Sequence, residues 1–307
     1  MTPSIEEVIQ HIPEWKDKKV VQVPLGGGLT NTNFRVEVEG TPFFVRIPGE
    51  STQLLAIDRE NEVHNTRAAA AAGVAPRVIH HWPEPHVMVL EFLPGATLSQ
   101  ATMQAPGMPV RIASVMRRLH TARRFRADFD MFRLVETYLA TADENAVTIP
   151  PDYRTRLPTV ARMQAAMGRH PQPSVPCHND LLPENFLLDG DRLWLVDFEY
   201  SGNNDPSFEL GNTCQELQYR DEQVEELCQA YYGTARPSLL GRMKLWAIMS
   251  DVGWTLWGAI QAKISRLDFD FWGYAMGRWE RGSAMMDSAE FPRWLEDVQT
   301  SAGVGGP

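Results

Sequence analysis

Residues 178–185 read His-Asn-Asp-Leu-Leu-Pro-Glu-Asn, and residues 196–199, shortly after them, read Val-Asp-Phe-Glu. Two apolar runs, 185–188 and 193–197, are joined by Asp-Gly-Asp at 189–191. An Asp-Gly pair between apolar runs is typical of a tight β-hairpin. The stretch therefore predicts a hairpin with the pattern His-x-Asp-x-x-x-x-Asn before it and Asp-Phe after it.

This pattern places Asp180, Asn185 and Asp197 around a single hairpin. Phosphoryl transfer mainly requires groups that position the reactants and neutralise charge. Asp180 would orient an incoming hydroxyl and accept its proton late in the reaction. Asn185 and Asp197 would offer oxygen ligands to a Mg²⁺ ion on the phosphates of ATP. His178 would brace the loop by hydrogen bonds, so that it belongs to the predicted catalytic set.

The alternative interpretation is that Asp189, Asp191 and Asp197 are turn acids and that Asn185 is a local cap. His-x-Asp alone is common and carries little information. The complete pattern, with its later Asn, its hairpin and its second Asp, is much more specific. Order and spacing together favour kinase chemistry.

Toward the N-terminus the sequence predicts a β-rich lobe. One helix at 58–72 is stopped by Gly73, and the segment Leu-Pro-Gly at 93–95 breaks the pattern as a hinge. The predicted strands are 20–23, 34–38, 43–47, 74–79 and 87–92. We predict a nucleotide-binding N-lobe at residues 1–93 and a catalytic and substrate-binding C-lobe at residues 94–307.

Beyond the hinge, the hydrophobic period becomes helical at 110–120, at 134–142 and from 208 to about 286. The predicted fold class is α+β with two lobes. An antiparallel sheet with one helix forms the first lobe, and a mainly helical lobe carries the catalytic hairpin. The apolar stretch 245–262 contains Asp251 near its middle, which favours a buried helix over a membrane span.

The N-lobe should supply a nucleotide site. Three glycines at 26–28 form a turn in which backbone N–H groups can approach phosphates, although the Gly-x-Gly-x-x-Gly form is missing. The residues assigned to this turn are Gly27, Gly28, Leu29, Thr30 and Asn31. On a following strand Arg46 would hold phosphates with its planar guanidinium. Its partner should be Glu62, with Glu60 as the rival, and a plain surface ion pair is the alternative.

Composition limits the classes of function. The 307 residues carry a net charge of −10, which argues against binding nucleic acid or anionic membranes and suits a cationic substrate. Three cysteines without a C-x-x-C spacing favour a reducing compartment. The acidic N-terminus lacks the apolar core of a signal peptide, so a cytoplasmic location is expected.

The residues quoted above resemble the choline/ethanolamine kinase family, within the aminoglycoside phosphotransferase superfamily of protein-kinase-like folds. The resemblance extends from about residue 26 to 279. It is carried by 177–185, which is shared across the superfamily, and by the narrower motifs 196–204, 208–212 and 254–265. It implies that Asp180 is the catalytic base, that Asn185 and Asp197 bind Mg²⁺, and that adenine lies against the hinge near Glu91 and Leu93. The family also carries Arg where protein kinases have Lys, as at Arg46.

A choline substrate has a trimethylammonium group, which aromatic faces hold best with a carboxylate nearby. Trp254 and Trp257 are three residues apart on a predicted helix and project on one side. Tyr200 follows Asp197 closely, which puts it beside the terminal phosphate. The resemblance adds Tyr274 and Glu216 to the same pocket.

The alternative is that this tryptophan-rich stretch is only core packing. The residues alone do not decide between the two interpretations. The resemblance implies that Trp254 and Trp257 are pocket walls, and Trp246, Trp272 and Trp279 are assigned to the core. Asp221 occupies a position where a second pocket tyrosine is expected, with Tyr219 close by. An acid there would favour the primary ammonium of ethanolamine.

The sequence thus predicts ATP-dependent phosphorylation of a small amino alcohol, choline or ethanolamine, giving phosphocholine (or its ethanolamine counterpart) and ADP. Alternatives are a kinase for an aminoglycoside, thiamine or a sugar-like alcohol, and a pseudokinase that only binds nucleotide. The sequence does not determine the oligomeric state, and a homodimer is compatible with it.

Overall fold

The computed structural model describes residues 2–26, 29–49 and 52–300. The predicted phosphate-loop glycines Gly27 and Gly28 lie outside the described residues. The strands are β1 (Val20–Leu25), β2 (Asn31–Val38), β3 (Thr41–Pro48), β4 (Val78–Trp82), β5 (Val87–Glu91), β6 (Ala96–Thr97), β7 (Val175–Cys177), β8 (Phe186–Asp189), β9 (Arg192–Leu195) and β10 (Gly202–Asn204). The helices are α1 (Ile5–His11), α2 (Arg59–Ala71), α3 (Gln100–Met103), α4 (Met108–His120), α5 (Met131–Glu144), α6 (Leu157–Met167), α7 (Pro206–Glu216), α8 (Asp221–Tyr232), α9 (Pro237–Ile264), α10 (Phe271–Met286) and α11 (Phe291–Asp297).

The N-lobe sheet is antiparallel throughout, in the order β1-β2-β3-β5-β4. Side chains alternate between its faces, so Val45 and Val89 pack with Trp15 near α1 while Met88 packs with Val63 of α2. Helix α2 begins at an Asp58 cap that accepts hydrogen bonds from two backbone N–H groups of the first turn. The sheet and this helix together set the geometry of the N-lobe half of the cleft.

One predicted strand is displaced along the chain. The apolar run 74–79 was expected to form it, but β4 begins only at Val78. Val74 is instead fully buried against the C-lobe, and its carbonyl oxygen accepts a hydrogen bond from the backbone N–H of Leu195 at 2.8 Å. The apolar Val74 side chain therefore packs beneath the hairpin and is not part of a strand of the N-lobe sheet.

The catalytic hairpin is confirmed. Strands β8 and β9 pair antiparallel, with Phe186 opposite Leu195 and Asp189 opposite Arg192. Gly190 at the turn has φ of 56°, a left-handed conformation that glycine adopts without steric cost. Strand β6, just past the hinge, extends this pair to three strands.

The C-lobe is built around α9, a 28-residue helix that packs against α5, α7, α10 and α11. Asp251 within it is fully buried, and a carboxylate oxygen lies 2.5 Å from a guanidinium nitrogen of Arg281 on α10. Across the described ranges, none of the helices combines the length and the apolar character that crossing a membrane requires. The prediction of a buried helix over 245–262 is therefore confirmed.

The α+β architecture with an antiparallel N-terminal sheet and a mainly helical remainder is confirmed. The division into lobes at residues 93 and 94 stays a prediction; the sheet itself ends at Glu91. Cys177, Cys214 and Cys228 are free thiols, and all three are buried.

Candidate active site

The loop that carries Asp180 is held by His178, as predicted from its place in the motif. The Nε2 atom of His178 lies 2.8 Å from the carbonyl oxygen of Val196, and its Nδ1 accepts the backbone N–H of Asp180 at 3.3 Å. These two bonds require a neutral ring with the proton on Nε2. Burial lowers the pKa of His178, which favours this neutral form. His178 therefore positions the loop rather than facing the cleft as a base.

Two residues of the site, Asn179 and Asp197, have left-handed backbone conformations, with φ of 69° and 67°. Such angles are uncommon for residues other than glycine and persist where surrounding contacts hold them. The Asn179 amide donates to the carbonyl oxygen of Tyr200 at 3.0 Å and accepts from Asn204 at 3.0 Å. The loop before the hairpin is thereby tied to the segment after it.

Asp180 and Asn185 are joined directly. The Asn185 amide nitrogen donates to the Asp180 carbonyl oxygen at 2.8 Å, which leaves the amide oxygen for a ligand. Burial raises the pKa of the Asp180 carboxyl well above its usual range, and the charges of Asp197, Glu199 and Glu216 add to this effect. A positive charge near the carboxyl group would counteract it.

Arg46 lies between two acids at the N-lobe side of the cleft. Its guanidinium contacts the carboxylate of Glu62 and lies 2.6 Å from an Asp197 oxygen. The Arg46 and Glu62 side chains are 6% and 1% exposed, so the pair is buried rather than a surface pair. Glu60, the rival partner, instead lies 3.7 Å from His86. The geometry thus pairs Arg46 with Glu62 and joins both to Asp197.

Glu199 has a role in the site that the sequence did not reveal. Its carboxylate accepts hydrogen bonds from Thr30 Oγ1 at 2.9 Å and Asn31 Nδ2 at 3.1 Å, and it lies 3.1 Å from an Arg59 nitrogen. It therefore links the turn before β2 to the segment after the hairpin. The position of Glu199 in the Asp-Phe-Glu motif could have drawn attention to it, but a sequence motif does not show which loop the Glu199 side chain contacts.

The oxygen atoms of this cluster suit a hard divalent cation. The Asn185 amide oxygen and the partly exposed Asp197 carboxylate are ligands that Mg²⁺ accepts. The carboxylates of Glu62, Asp197 and Glu199 also come within 4.8 Å of one another. All three carboxylates are paired with arginines, but Asp197 is 29% exposed while Glu62 and Glu199 are almost fully buried, so Asp197 is the carboxylate most accessible to an ion.

The aromatic residues predicted to line a substrate pocket lie together. The Tyr200 ring meets the Trp254 ring edge-to-face at 4.9 Å, and Trp257 Nε1 donates to the Tyr200 hydroxyl at 2.7 Å. The Trp257 and Tyr274 rings lie 5.4 Å apart. Helix α10 comes this close to α9 because residue 258 is glycine: a Cβ there would lie 2.9 Å from Tyr274 Cδ1.

A cationic side chain of the protein itself lies against this group of aromatic rings. The Arg278 guanidinium carbon lies 3.5 Å from the centroid of the Tyr274 ring, and an Arg278 nitrogen lies 2.6 Å from a Glu216 oxygen. The sequence analysis missed Arg278. Its spacing of four residues from Tyr274 on one helix was an available signal, since such residues are neighbours on a helix surface. The structure thus joins Glu216 and Tyr274, as predicted, through an arginine that was not predicted.

Some sequence expectations are wrong. Trp272 was assigned to the core but is 37% exposed at the start of α10.

The pocket is not shaped by Asp221 or Tyr219. Asp221 is solvent-exposed and lies 2.6 Å from Lys244. The Tyr219 hydroxyl donates to the Met103 carbonyl oxygen. Helix α8 begins at Asp221, where an acid is favoured for its own reasons.

The remaining tryptophans follow the core assignment. Trp246 and Trp279 are buried, and their indole N–H groups donate to Asp205 at 2.9 Å and Asp152 at 2.7 Å. Asp205 also caps α7 and lies 2.5 Å from a nitrogen of Arg242. The Asp-Pro pair at 205–206 is therefore structural in this chain.

The predicted hinge residues lie at the end of the sheet. The Glu91 carboxylate is 3.0 Å from Arg77 Nε, and its backbone N–H donates to the Arg77 carbonyl oxygen. Leu93 lies in the irregular segment that follows. At the other end of the cleft, the Leu29 carbonyl oxygen accepts from Gln261 of α9 at 3.3 Å, so the turn before β2 contacts both lobes.

Comparison with known proteins gives the family. Residues 21–246 match the model of the phosphotransferase enzyme family. A solved structure of a choline/ethanolamine kinase family protein from Mesorhizobium loti is 38% identical, with 97% of this chain and 98% of that chain covered and a TM-score of 0.85. This chain belongs to the choline/ethanolamine kinase family. The resemblance drawn from its motifs is confirmed.

Two further relatives extend the comparison. Ethanolamine kinase 2 of Mus musculus is 29% identical over 302 residues, covering 88% of this chain and 77% of the relative. The choline kinase LicA of Streptococcus pneumoniae has a TM-score of 0.79 at 23% identity, covering 92% and 98% of the two chains, which shows a shared fold. Together these relatives support small-alcohol kinase activity and the protein-kinase-like fold.

Proposed function

We propose that this protein transfers the terminal phosphoryl group of ATP to the hydroxyl of a small amino alcohol, with choline as the preferred substrate and ethanolamine as the nearest alternative. The observation that supports the proposal is that two sets of side chains lie near each other. Asn185 donates to Asp180, the charge of Asp197 acts on the Asp180 carboxyl, and Tyr200, three residues after Asp197, contacts the tryptophans of α9. The first set suits phosphoryl transfer and the second suits a cation.

Asp180 would receive the substrate hydroxyl. A general base must lie within hydrogen-bond reach of the proton that it accepts, and a fixed loop keeps the carboxylate oriented for that purpose. His178 and Asn185 supply that rigidity through backbone bonds on either side of Asp180. The proton would pass from the hydroxyl to the Asp180 carboxylate as the oxygen attacks phosphorus and the bond to ADP breaks.

Asn185 and Asp197 would hold Mg²⁺, which supplies charge neutralisation at the phosphates when bound. Arg46, fixed by Glu62, would add its own positive charge on the N-lobe side. Thr30 and Asn31 would place the turn before β2 over the phosphates, with Gly27, Gly28 and Leu29 assigned to it from the sequence. Adenine would lie against backbone groups near Glu91 and Leu93.

Trp254, Trp257 and Tyr200 would form the walls around the substrate cation. Arg278 engages one oxygen of Glu216, while the other, Oε1, makes no hydrogen bond within the described residues and lies 3.6 Å from a nitrogen of Arg281. The two arginines offset the charge of Glu216, so the aromatic rings would be the main attraction for a substrate cation. The large share of aromatic surface favours trimethylammonium, because a primary ammonium needs acceptors for three N–H donors and aromatic faces supply none.

A screen of ATP consumption tests the proposal directly. Choline, ethanolamine, their two methylated intermediates, thiamine and a set of aminoglycosides would be compared at equal concentrations with Mg-ATP. We expect kcat/KM to be highest for choline and to fall as methyl groups are removed. Turnover of thiamine or an aminoglycoside without turnover of the amino alcohols would overturn the substrate assignment. Nucleotide binding without any turnover would instead favour a pseudokinase.

A further inference from the structure

Two histidines and a glutamate meet where helix α2 approaches strand β4 and the turn after it. Glu60 lies in the first turn of α2, His81 lies in strand β4, and His86 lies in the turn between β4 and β5. One potential ligand atom from each residue falls within 4.8 Å of the other two. His86 Nδ1 lies 3.7 Å from Glu60 Oε1. Three donors of metal-binding type thus converge from three separate elements.

Each of the two imidazoles has one nitrogen atom that is shielded from solvent and makes no hydrogen bond. Within the described ranges, His81 Nε2 and His86 Nδ1 make no hydrogen bond. A shielded polar atom without a partner costs free energy, and in a native protein it calls for an explanation such as a bound ion. His86 also has φ of 64°, a conformation that is uncommon outside glycine and clusters at functional sites.

We propose that Glu60, His81 and His86 form a binding site for a transition-metal ion of the zinc class. Two imidazoles and one carboxylate are a common zinc ligand set, with the fourth position left to water. Imidazole binds metal in its neutral form. Arg67, a cation whose charge acts on His81, has an exposed side chain.

Binding would connect the β4–β5 turn to helix α2. Bonds of about 2.0–2.2 Å in a tetrahedral site put ligand atoms roughly 3.3–3.5 Å apart, so the turn and the helix would move slightly closer together. Glu60 stands two residues before Glu62, the partner of Arg46. The metal would therefore brace the helix that fixes Arg46. The site itself depends neither on ATP nor on the proposed substrate.

Zinc binding to the untagged full-length protein tests the site. ZnCl₂ would be titrated against a chromophoric zinc chelator with excess MgCl₂ present, because Mg²⁺ occupies oxygen ligands in the cleft but not imidazoles. We expect one equivalent to bind. The double variant His81→Ala/His86→Ala should lose affinity by at least about 100-fold, the upper end of what losing even an outer-shell partner of a metal site costs.

The matched control is His80→Ala. His80 is next to His81 on β4 but faces the other side of the sheet, where its ring meets that of His11. The affinity of the His80→Ala variant for zinc should equal that of the unmodified protein. A double variant that binds zinc as the unmodified protein does, or a His80→Ala variant that loses as much, would overturn the proposal. So would an unmodified protein that binds none.

A second measurement does not depend on any variant. Amide hydrogen exchange would be followed on the unmodified protein with and without ZnCl₂, again in excess MgCl₂. We expect slower exchange in the turn at 83–86 and in the first turn of α2. Slowing confined to other parts of the chain would contradict the assignment. Loss of catalytic activity alone would not bear on this site, so the two proposals can fail separately.

Discussion

The two walls of the cleft are built in different ways. The polar wall comes from one short stretch of chain, 178–199, together with N-lobe residues that reach it through charged contacts. The aromatic wall comes from Tyr200 and two antiparallel helices, α9 and α10, and its members are separated by up to 74 positions. One wall is specified mainly by local spacing, and the other by helix packing.

The two walls should also differ in how they respond to amino-acid substitutions. The polar wall holds buried charges whose partners cannot be removed without leaving an uncompensated charge. The aromatic wall is held by dispersion and ring geometry, and in the proposed function it would attract a cation to its ring faces; these are graded effects. Changes to the polar wall should therefore abolish chemistry or stability, whereas changes to the aromatic wall should shift substrate affinity.

The largest effect is expected at Asp180. The variant Asp180→Asn keeps the shape of the side chain but cannot accept a proton, so kcat should fall by about 1000-fold, within the range typical of a general base. Binding of Mg-ATP, measured by calorimetry, should be retained. Asp191→Asn is the control, because that carboxylate is fully exposed on the hairpin turn and its loss should leave kcat unchanged. Near-normal turnover of Asp180→Asn would break the assignment of chemistry to this wall.

Next in size is the stability effect at Glu62. Its buried carboxylate contacts Arg46 and lies 2.9 Å from an Arg59 nitrogen, so Glu62→Gln should lower the free energy of unfolding by about 3 kcal/mol. The KM for ATP should rise as well, because Arg46 loses its support. Urea denaturation measures the first effect and steady-state kinetics the second.

The control for this change is a surface pair. Glu136 lies 2.7 Å from Arg133, and both side chains are more than half exposed. Glu136→Gln should change the free energy of unfolding by less than about 0.5 kcal/mol. If Glu62→Gln and Glu136→Gln lowered the free energy of unfolding equally, burial would not make the ion pairs of the polar wall more important for stability than a surface pair.

A moderate effect is expected when an aromatic face is removed. Replacing Trp254 or Trp257 by Leu should raise the KM for choline by about 30-fold, corresponding to roughly 2 kcal/mol for a desolvated cation on an aromatic ring. The kcat should change much less. Trp272→Leu, on the exposed side of α10, should leave the KM unaltered. An unchanged KM for both pocket variants would remove the aromatic wall from substrate binding.

The smallest expected effect is a difference in stability between variants of Trp254 and Trp257. Trp257→Phe keeps an aromatic face but loses the N–H donor to Tyr200, whereas Trp254 Nε1 has no hydrogen-bond partner within the described residues. We expect Trp257→Phe to cost about 1 kcal/mol in the free energy of unfolding through its lost hydrogen bond. Trp254→Phe should cost less. Thermal or urea denaturation of the two variants side by side would show the difference, and the opposite order would contradict the hydrogen bond's role.

Much of the polar wall could be predicted because its geometry is local. The hairpin turn, the spacing from Asp180 to Asn185, and Asp197 after the second strand are all set by a few backbone conformations. The partner of Arg46 was narrowed to Glu60 or Glu62, which are two positions apart on a helix and point in different directions. Helix period alone could not choose between them, because it does not show which side of α2 faces the sheet.

The sequence by itself determined the run of N-lobe strands with its one following helix, the hairpin with its catalytic pattern, and the aromatic character of α9, since these depend on near neighbours along the chain. Only the tertiary structure decided that Glu199 meets Thr30 and Asn31 and that Arg278 lies over Tyr274 beside Glu216. These contacts join residues that are distant in sequence, and their partners are selected by how helices and loops pack. The local sequence shows which chemical groups a residue carries, whereas tertiary packing determines which other residues those groups contact.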